Sequence, residues 1–215
     1  MSLIDYTYFI RDISVPIVAA SSSDTHYVKL NDSITRYEND VLKSLLGYTY
    51  WKEMTDAYAK SILDKEDENY EVLPTKWDEL INGTDLEFDY YGRTVTTYWN
   101  GLINSDKISL LAYYVYFYHR LYGQTSYTGL SETKAKGENS VSVSGGEKMI
   151  WAWNKMVKLY GEIPRPQVKY KNFFTEIDNY VHYNDAPSAY NFLLANKASY
   201  ADWIFTPLQK KHNFF

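Results

Sequence analysis

The sequence predicts a mainly α-helical fold: a small helical bundle with one β-hairpin (about 86–98), a long polar loop (about 123–144) and an extended C-terminal tail. Apolar residues recur at three- and four-residue spacing in successive stretches, which is the helical period. One stretch alone, 86–98, changes to β-branched and aromatic residues around Gly92. Residues 123–144 carry Ser, Thr, Gly and Lys with no apolar stripe, a longer connection than compact domains ordinarily contain.

Residues 1–30 mix aromatics, β-branched residues and polar clusters, with Ser21-Ser22-Ser23-Asp24 reading as loop, so an extended arm with short strand character is expected. A helix is expected after Asn31-Asp32. Its apolar face is Ile34, Tyr37, Val41, Leu42, Leu45 and Leu46, with Arg36, Glu38, Asn39, Asp40 and Lys43 opposite and Gly47 as the stop. A second helix follows at once with the stripe Trp51, Met54, Tyr58 and Ile62, which makes the two a helical hairpin or a sharply bent pair. The acidic run 64–71 ends it. Thr75-Lys76-Trp77-Asp78 resembles a capping box opening a short helix that Asn82-Gly83 closes. The hairpin comes next and ends at Asn100-Gly101. A lone hairpin is marginal in water, so this one is expected to pack on the helices or on a neighbour.

Ser105-Asp106 opens the most apolar helix, Ile108 to Tyr122, with Leu110, Leu111 and the run Tyr113 to Tyr118 nearly all round. Such a helix must be covered on every side, as the bundle centre or with one face on a partner. After the polar loop, Ser144-Gly145-Gly146-Glu147 is a capping box. The helix it opens carries Met149, Trp153, Met156 and Tyr160 and closes at Gly161. Pro164-Arg165-Pro166 is extended punctuation, 170–183 is an aromatic segment, and a helix after Asp185 carries Tyr190, Leu193 and Leu194. No internal repeat or domain boundary interrupts the chain. A single domain results, with an arm at 1–30, helices and hairpin at 31–122, a protruding loop at 123–144, C-terminal helices at 145–204 and a docking tail at 205–215.

A chain of 215 residues buries enough surface to fold without metal or disulfide staples. It has no cysteine, which excludes disulfides, thiol catalysis and thiolate metal ligands and fits a reducing compartment. Met1 to Phe9 lacks a basic start followed by an apolar run, so no signal peptide is expected, and the run from Ile108 to Tyr118 is too short to span a bilayer. A net charge of −5 with both signs interspersed argues against a general polyanion binder. The unusual feature is 23 Tyr, 6 Trp and 9 Phe, side chains that bury large areas while keeping, in Tyr and Trp, a polar tip suited to wet interfaces.

No motif carries catalysis. His26, His119, His182 and His212 are too far apart in sequence to form a helical pair of metal ligands, and His119 reads as a satisfied core or interface group. Asp64, Glu66, Asp67 and Glu68 lack the turn glycine and alternation of a calcium loop and read as a solvated helix end. Gly145-Gly146-Glu147-Lys148 lacks the earlier glycine and following Ser or Thr of a phosphate loop. Arg165, Lys169, Tyr170 and Lys171 are too few for a single-strand platform. No catalytic, metal or cofactor residue is assigned, and an enzyme is not expected. The features left without a core to serve are the loop 123–144 and the terminal segment, which runs from Asp202-Trp203-Ile204-Phe205 to Lys210-Lys211-His212-Asn213-Phe214-Phe215.

The order of parts resembles the head–tail connector (neck adaptor) proteins of tailed bacteriophages, of the kind found in phages of Bacteroidetes-type hosts. The resembling stretches are Tyr8 to Ile13, Ile34 to Gly47 and Lys76 to Gly83, then the Tyr-rich helix, Gly137-Glu138-Asn139-Ser140 before a second aromatic helix, and Tyr190-Asn191-Phe192-Leu193 ahead of the polar tail. The tail departs from the pattern by ending in Asn-Phe-Phe where a glycine often follows the aromatic. The resemblance implies a ring, usually a dodecamer, assembled in the bacterial cytoplasm and seated in the virion neck. Its partners would be copies of itself, the portal protein, the tail or a second neck-ring protein, and double-stranded DNA passing without sequence specificity. Interface residues are expected in the loop, at Lys134, Lys136, Glu138 and Asn139, and in the tail, at Leu208, Lys210, Lys211, Phe214 and Phe215. The rival expectation is a carbohydrate-binding module that stacks sugars on exposed Trp and Tyr.

Overall fold

Asp24 starts the longest element. Its carboxylate accepts from the amides of His26 (2.8 Å) and Tyr27 (3.3 Å), satisfying donors that a helix start leaves orphaned, and α1 runs Thr25–Ser61. Asn31 and Asp32, expected ahead of the helix, therefore lie inside it. The computed structural model describes residues 2–17, 20–90, 93–123, 126–127, 132–133, 146–161 and 188–209. Helical backbone breaks at Gly47 (φ 75, ψ 165), a conformation open to glycine almost alone. Trp51 Nε1 donates to Asn39 Oδ1 at 3.2 Å across 12 residues, which a straight helix would hold about 18 Å apart, beyond the reach of both side chains. The two arms of α1 thus fold back on each other as the expected hairpin. Met54 is buried and Trp51 and Tyr58 half-buried, but Ile62 falls past the last helical turn and is 58% exposed.

Residues 2–17 are not a strand-like arm. Asp5 caps a 3-10 turn at Tyr6–Tyr8, a second turn follows at Arg11–Ile13, and Ile4, Tyr8, Phe9 and Ile13 are buried in the core. Their spacing puts one side of an irregular segment against the bundle, and local i to i+3 bonds satisfy the backbone that a strand would have left unpaired.

Pro74, not Thr75, is the cap of α2 (Thr75–Asn82); its carbonyl accepts from Trp77 (2.8 Å) and Asp78 (3.0 Å) and no side chain caps the turn. The hairpin pairs β1 (Thr84–Tyr90) with β2 (Arg93–Trp99), from Thr84 opposite Trp99 to Tyr90 opposite Arg93. Gly83 (φ 94) and Gly101 (φ 79) cross backbone to backbone at its base, where a side chain on Gly83 would strike the main chain of Trp99 to Gly101 and one on Gly101 the main chain of Ile81 to Gly83. Leu102 and Ile103 then donate to the carbonyls of Leu80 (3.1 Å) and Ile81 (2.9 Å). The hairpin packs on helices: Trp99 gives its indole N–H to Leu80 (3.1 Å) and stacks on Phe192.

The bundle centre is α3 (Leu110–Gly123) against α1 and α4 (Gly146–Tyr160). The helix α3 starts two residues later than expected because Ser109 caps it, accepting from Leu111 (3.2 Å) while donating to the Leu102 carbonyl (2.5 Å); Ile108 is left exposed. Phe117 and Trp153 meet at 4.8 Å, and the stripe Met149, Trp153, Met156 and Tyr160 is buried as expected. Inside the polar loop, β3 (Ser126–Tyr127) pairs with β4 (Glu132–Thr133). Ser188 caps α5 (Ala189–Ala195), whose inward residues are Phe192 and Leu193 while Leu194 is exposed. The segments 162–170 and 171–187, including Pro164-Arg165-Pro166, lie outside the described residues.

Candidate interaction surface

Of the expected interface residues, only Leu208 falls within the described residues; Lys134, Lys136, Glu138, Asn139, Lys210, Lys211, Phe214 and Phe215 lie outside them. Leu208 is half-buried against the chain's own core. The extended segment around it is seated on α4. Tyr160 donates its hydroxyl to the Thr206 carbonyl (2.9 Å) and Trp153 its indole N–H to the Gln209 carbonyl (2.8 Å). The helical rise from residue 153 to 160 and the extended span from 206 to 209 are each about 10 Å, so tail and helix run antiparallel in register. Phe205 fills the space beside Gly161, between Tyr160 and Tyr190. The near half of the tail is thus intramolecular.

The aromatic excess is spent in the same way. Among the described residues, Tyr200 donates to the Lys76 carbonyl (2.8 Å) and Trp203 to that of Leu45 (2.7 Å). All six tryptophans are buried or half-buried. Trp51, beside the exposed Tyr48, has Lys43 Nζ 4.2 Å above its ring and its N–H occupied by Asn39. Several polar tips that suit a wet interface here close onto carbonyls distant in sequence, whereas the buried indole N–H of Trp77 meets no acceptor among the described residues.

Several large apolar side chains stand exposed among the described residues, Ile10, Tyr98 and Ile204 among them, and two groups of them lie near charged residues. At the end of α1, Ile62, Leu63 and Val72 (76% exposed) face solvent, the Lys60–Glu71 ion pair at 2.6 Å joins the two stretches that carry them, and the exposed acids Asp64, Glu66, Asp67 and Glu68 lie between those stretches in sequence. At the end of α3, Tyr37, Tyr118 and Tyr122 are near-parallel, with interplanar angles of 14 to 21°, and Tyr122 is 63% exposed. Arg36 lies over Tyr37, the exposed Lys29 and Arg120 stand near His119, the residue after Tyr118, and Asp40 also acts on Tyr37. Both patches have an apolar centre and a charged rim, the anatomy of a protein interface. Sequence reasoning missed the first, because Ile62 was placed in the core stripe and the acids were read only as a helix end.

Among the described residues, burial shifts one histidine and one carboxylate, His119 and Glu38. His119 Nδ1 lies 3.0 Å from the Ser33 hydroxyl, which itself lies 2.8 Å from the Lys29 carbonyl. A carbonyl only accepts, so Ser33 spends its hydrogen there and the imidazole N–H is the donor. Burial, then the neighbouring Arg120, His26 and Lys29, hold His119 below the usual histidine range. Glu38, expected on the solvent face, is buried; its oxygens accept from the amides of Leu3 (2.7 Å) and Ile4 (3.1 Å), and burial pushes its carboxyl up to about 7. The signal was present: residue 38 stands four from both Ile34 and Leu42, in the middle of the apolar stripe. Among the described residues no three His, Asp or Glu side chains gather as metal ligands would, and no helix is long and apolar enough to cross a membrane. The chain matches no protein-family model, no curated protein and no solved structure.

Proposed function

We propose that this chain is a structural protein that assembles head to tail into a ring, of the kind that forms the neck between portal and tail in a tailed bacteriophage. The observation that carries the reading is the acid-rimmed apolar patch of Ile62, Leu63 and Val72, accompanied by the separate tyrosine patch on α3. A ring built by rotation needs two different sticky faces on each copy. One rim is acidic and the other carries Lys29, Arg36 and Arg120, which favours opposite faces meeting over like ones. In this reading residues 134–139 and 210–215 contact the portal or an adjacent copy, and the acidic balance of the chain keeps a lumen from gripping DNA.

Electron microscopy of the purified protein, alone and mixed with a portal protein, tests the reading. Closed rings, or portal-bound rings, support it; a monomer under both conditions overturns it. The carbohydrate-binding alternative draws no support from the tryptophans, since none stands exposed as a sugar platform.

A further inference from the structure

The patch of Ile62, Leu63 and Val72 restricts what can cover it. Its stretch carries the exposed Asp64, Glu66, Asp67 and Glu68, with Lys65 the one cation among residues 64–68. Lys60 is already engaged by Glu71, and among the described residues no ion pair forms on Asp64, Glu66 or Glu68. Apolar groups beside surplus negative charge suit a partner that brings apolar side chains and cations together, and repel one that brings acids. The chain itself holds such a segment. Residues 206–215 contain no acid, and Lys210, Lys211 and His212 are followed within three residues by Phe214 and Phe215. Gln209 anchors that segment to α4 through the Trp153 indole, whose ring lies 6.2 Å from that of Tyr118 in the tyrosine patch. From this anchor, residues 210–215 reach up to about 20 Å when extended, enough to cross from one copy to the next.

We propose that residues 210–215 of one copy dock on the 62–72 patch of an adjacent copy, with Lys210 and Lys211 against the acids and Phe214 and Phe215 on Ile62, Leu63 and Val72. This docking rests on the head-to-tail ring reading and names the segment that crosses the joint. The tail leaves beside the tyrosine patch, whereas the receiving patch lies at the end of α1. Each copy therefore gives from one face and receives on another, as closure of a ring by rotation requires. The lysine pair steers and orients the segment while the phenylalanines supply the burial, so neither half suffices alone.

Two charge reversals in the full chain test the docking by sedimentation velocity: Lys210→Glu with Lys211→Glu, and Glu66→Lys with Glu68→Lys. Where the wild type assembles only with a portal protein, the same variants are read in that mixture. Each variant alone should associate at least about tenfold more weakly than the wild type, because like charges then meet across the joint. Mixed one to one, the two should recover, since each tail finds a patch of opposite sign on the other variant. Recovery on mixing supports docking between copies. Unchanged association in either variant, or a loss that mixing does not restore, overturns it; a tail folded onto its own patch gives the second result. Should a variant not fold, Val72→Cys and Phe214→Cys on separate chains decide the matter, because the wild type has no cysteine. A disulfide joining the two chains in preference to either homodimer supports the docking, and its absence overturns it. Rings that persist while both reversals associate normally overturn the docking and leave the ring reading standing. A wild type that stays monomeric alone and with a portal overturns both.

Discussion

The indole N–H of Trp203 donates to the carbonyl of Leu45 at 2.7 Å, joining the C-terminal segment to the elbow of α1. That carbonyl is open because the helix breaks at Gly47, two residues later, so its usual partner four residues on is turned away. The tail thus completes a helix end that local sequence leaves unfinished. Trp203→Phe keeps the ring and removes the donor, and should lower stability by about 1–3 kcal/mol in urea unfolding. Unchanged stability would mean that water replaces the indole at no cost.

The glycine crossing at the base of the hairpin should be far less tolerant than the elbow. Gly47→Ala meets open space and costs backbone strain alone, about 1–3 kcal/mol. Gly83→Ala or Gly101→Ala carries similar strain and must also displace the main chain that crosses it. Thermal unfolding should therefore rank Gly47→Ala as the mildest of the three.

Two buried groups make stability depend on pH with opposite signs. The Glu38 carboxyl is raised from 4.5 to about 7, so the folded state holds a proton that the unfolded state releases. Its contribution, roughly 3 kcal/mol, is full below about pH 4.5 and is lost as pH climbs through 7. His119 is depressed, so the unfolded state takes up a proton that the fold excludes, and stability falls as pH drops below 6.5. In Glu38→Gln the decline toward pH 8 should disappear and the acid-side decline from His119 should stand alone, as read by denaturation midpoints from pH 4 to 8.

Replacing Ile62 and Val72 by Ser removes exposed apolar surface and leaves the core untouched. Self-association, followed by sedimentation velocity, should fall at least tenfold, while unfolding shifts by less than about 0.5 kcal/mol. Association that persists unchanged would place the contact elsewhere on the molecule.

Truncation separates the two halves of the tail. Removing 206–215 strips the acceptors from Tyr160 and Trp153 and should destabilise the fold by about 2–4 kcal/mol. Removing 210–215 keeps both acceptors and should cost less than removing 206–215; ring or portal binding lost while the unfolding midpoint holds would report on docking.

Helical periodicity is a local property, and it made most elements legible: the stripes of α1, α3 and α4, the breaks at Gly47 and Gly161, and the hairpin ending at Asn100-Gly101. The errors fell where a neighbour in space, not in sequence, set the outcome. Glu38 reads as a surface acid until the segment 2–17 is seen to lie over it, and Ile62 reads as core until the helix stops one residue short. Composition counts aromatics such as Tyr200, Trp203 and Phe205 but does not say which distant groups they meet.

By itself the sequence determined the helical class, the hairpin, the lack of thiol chemistry and the abundance of Tyr and Trp. Tertiary structure alone decided where those aromatics point: many inward, several with an N–H or O–H tip on a carbonyl up to 124 residues away, and others, such as Tyr48 and Tyr122, outward. The physical reason is that side-chain period follows from backbone geometry within one element, whereas the partner of a polar tip depends on which distant backbone groups the fold leaves unsatisfied.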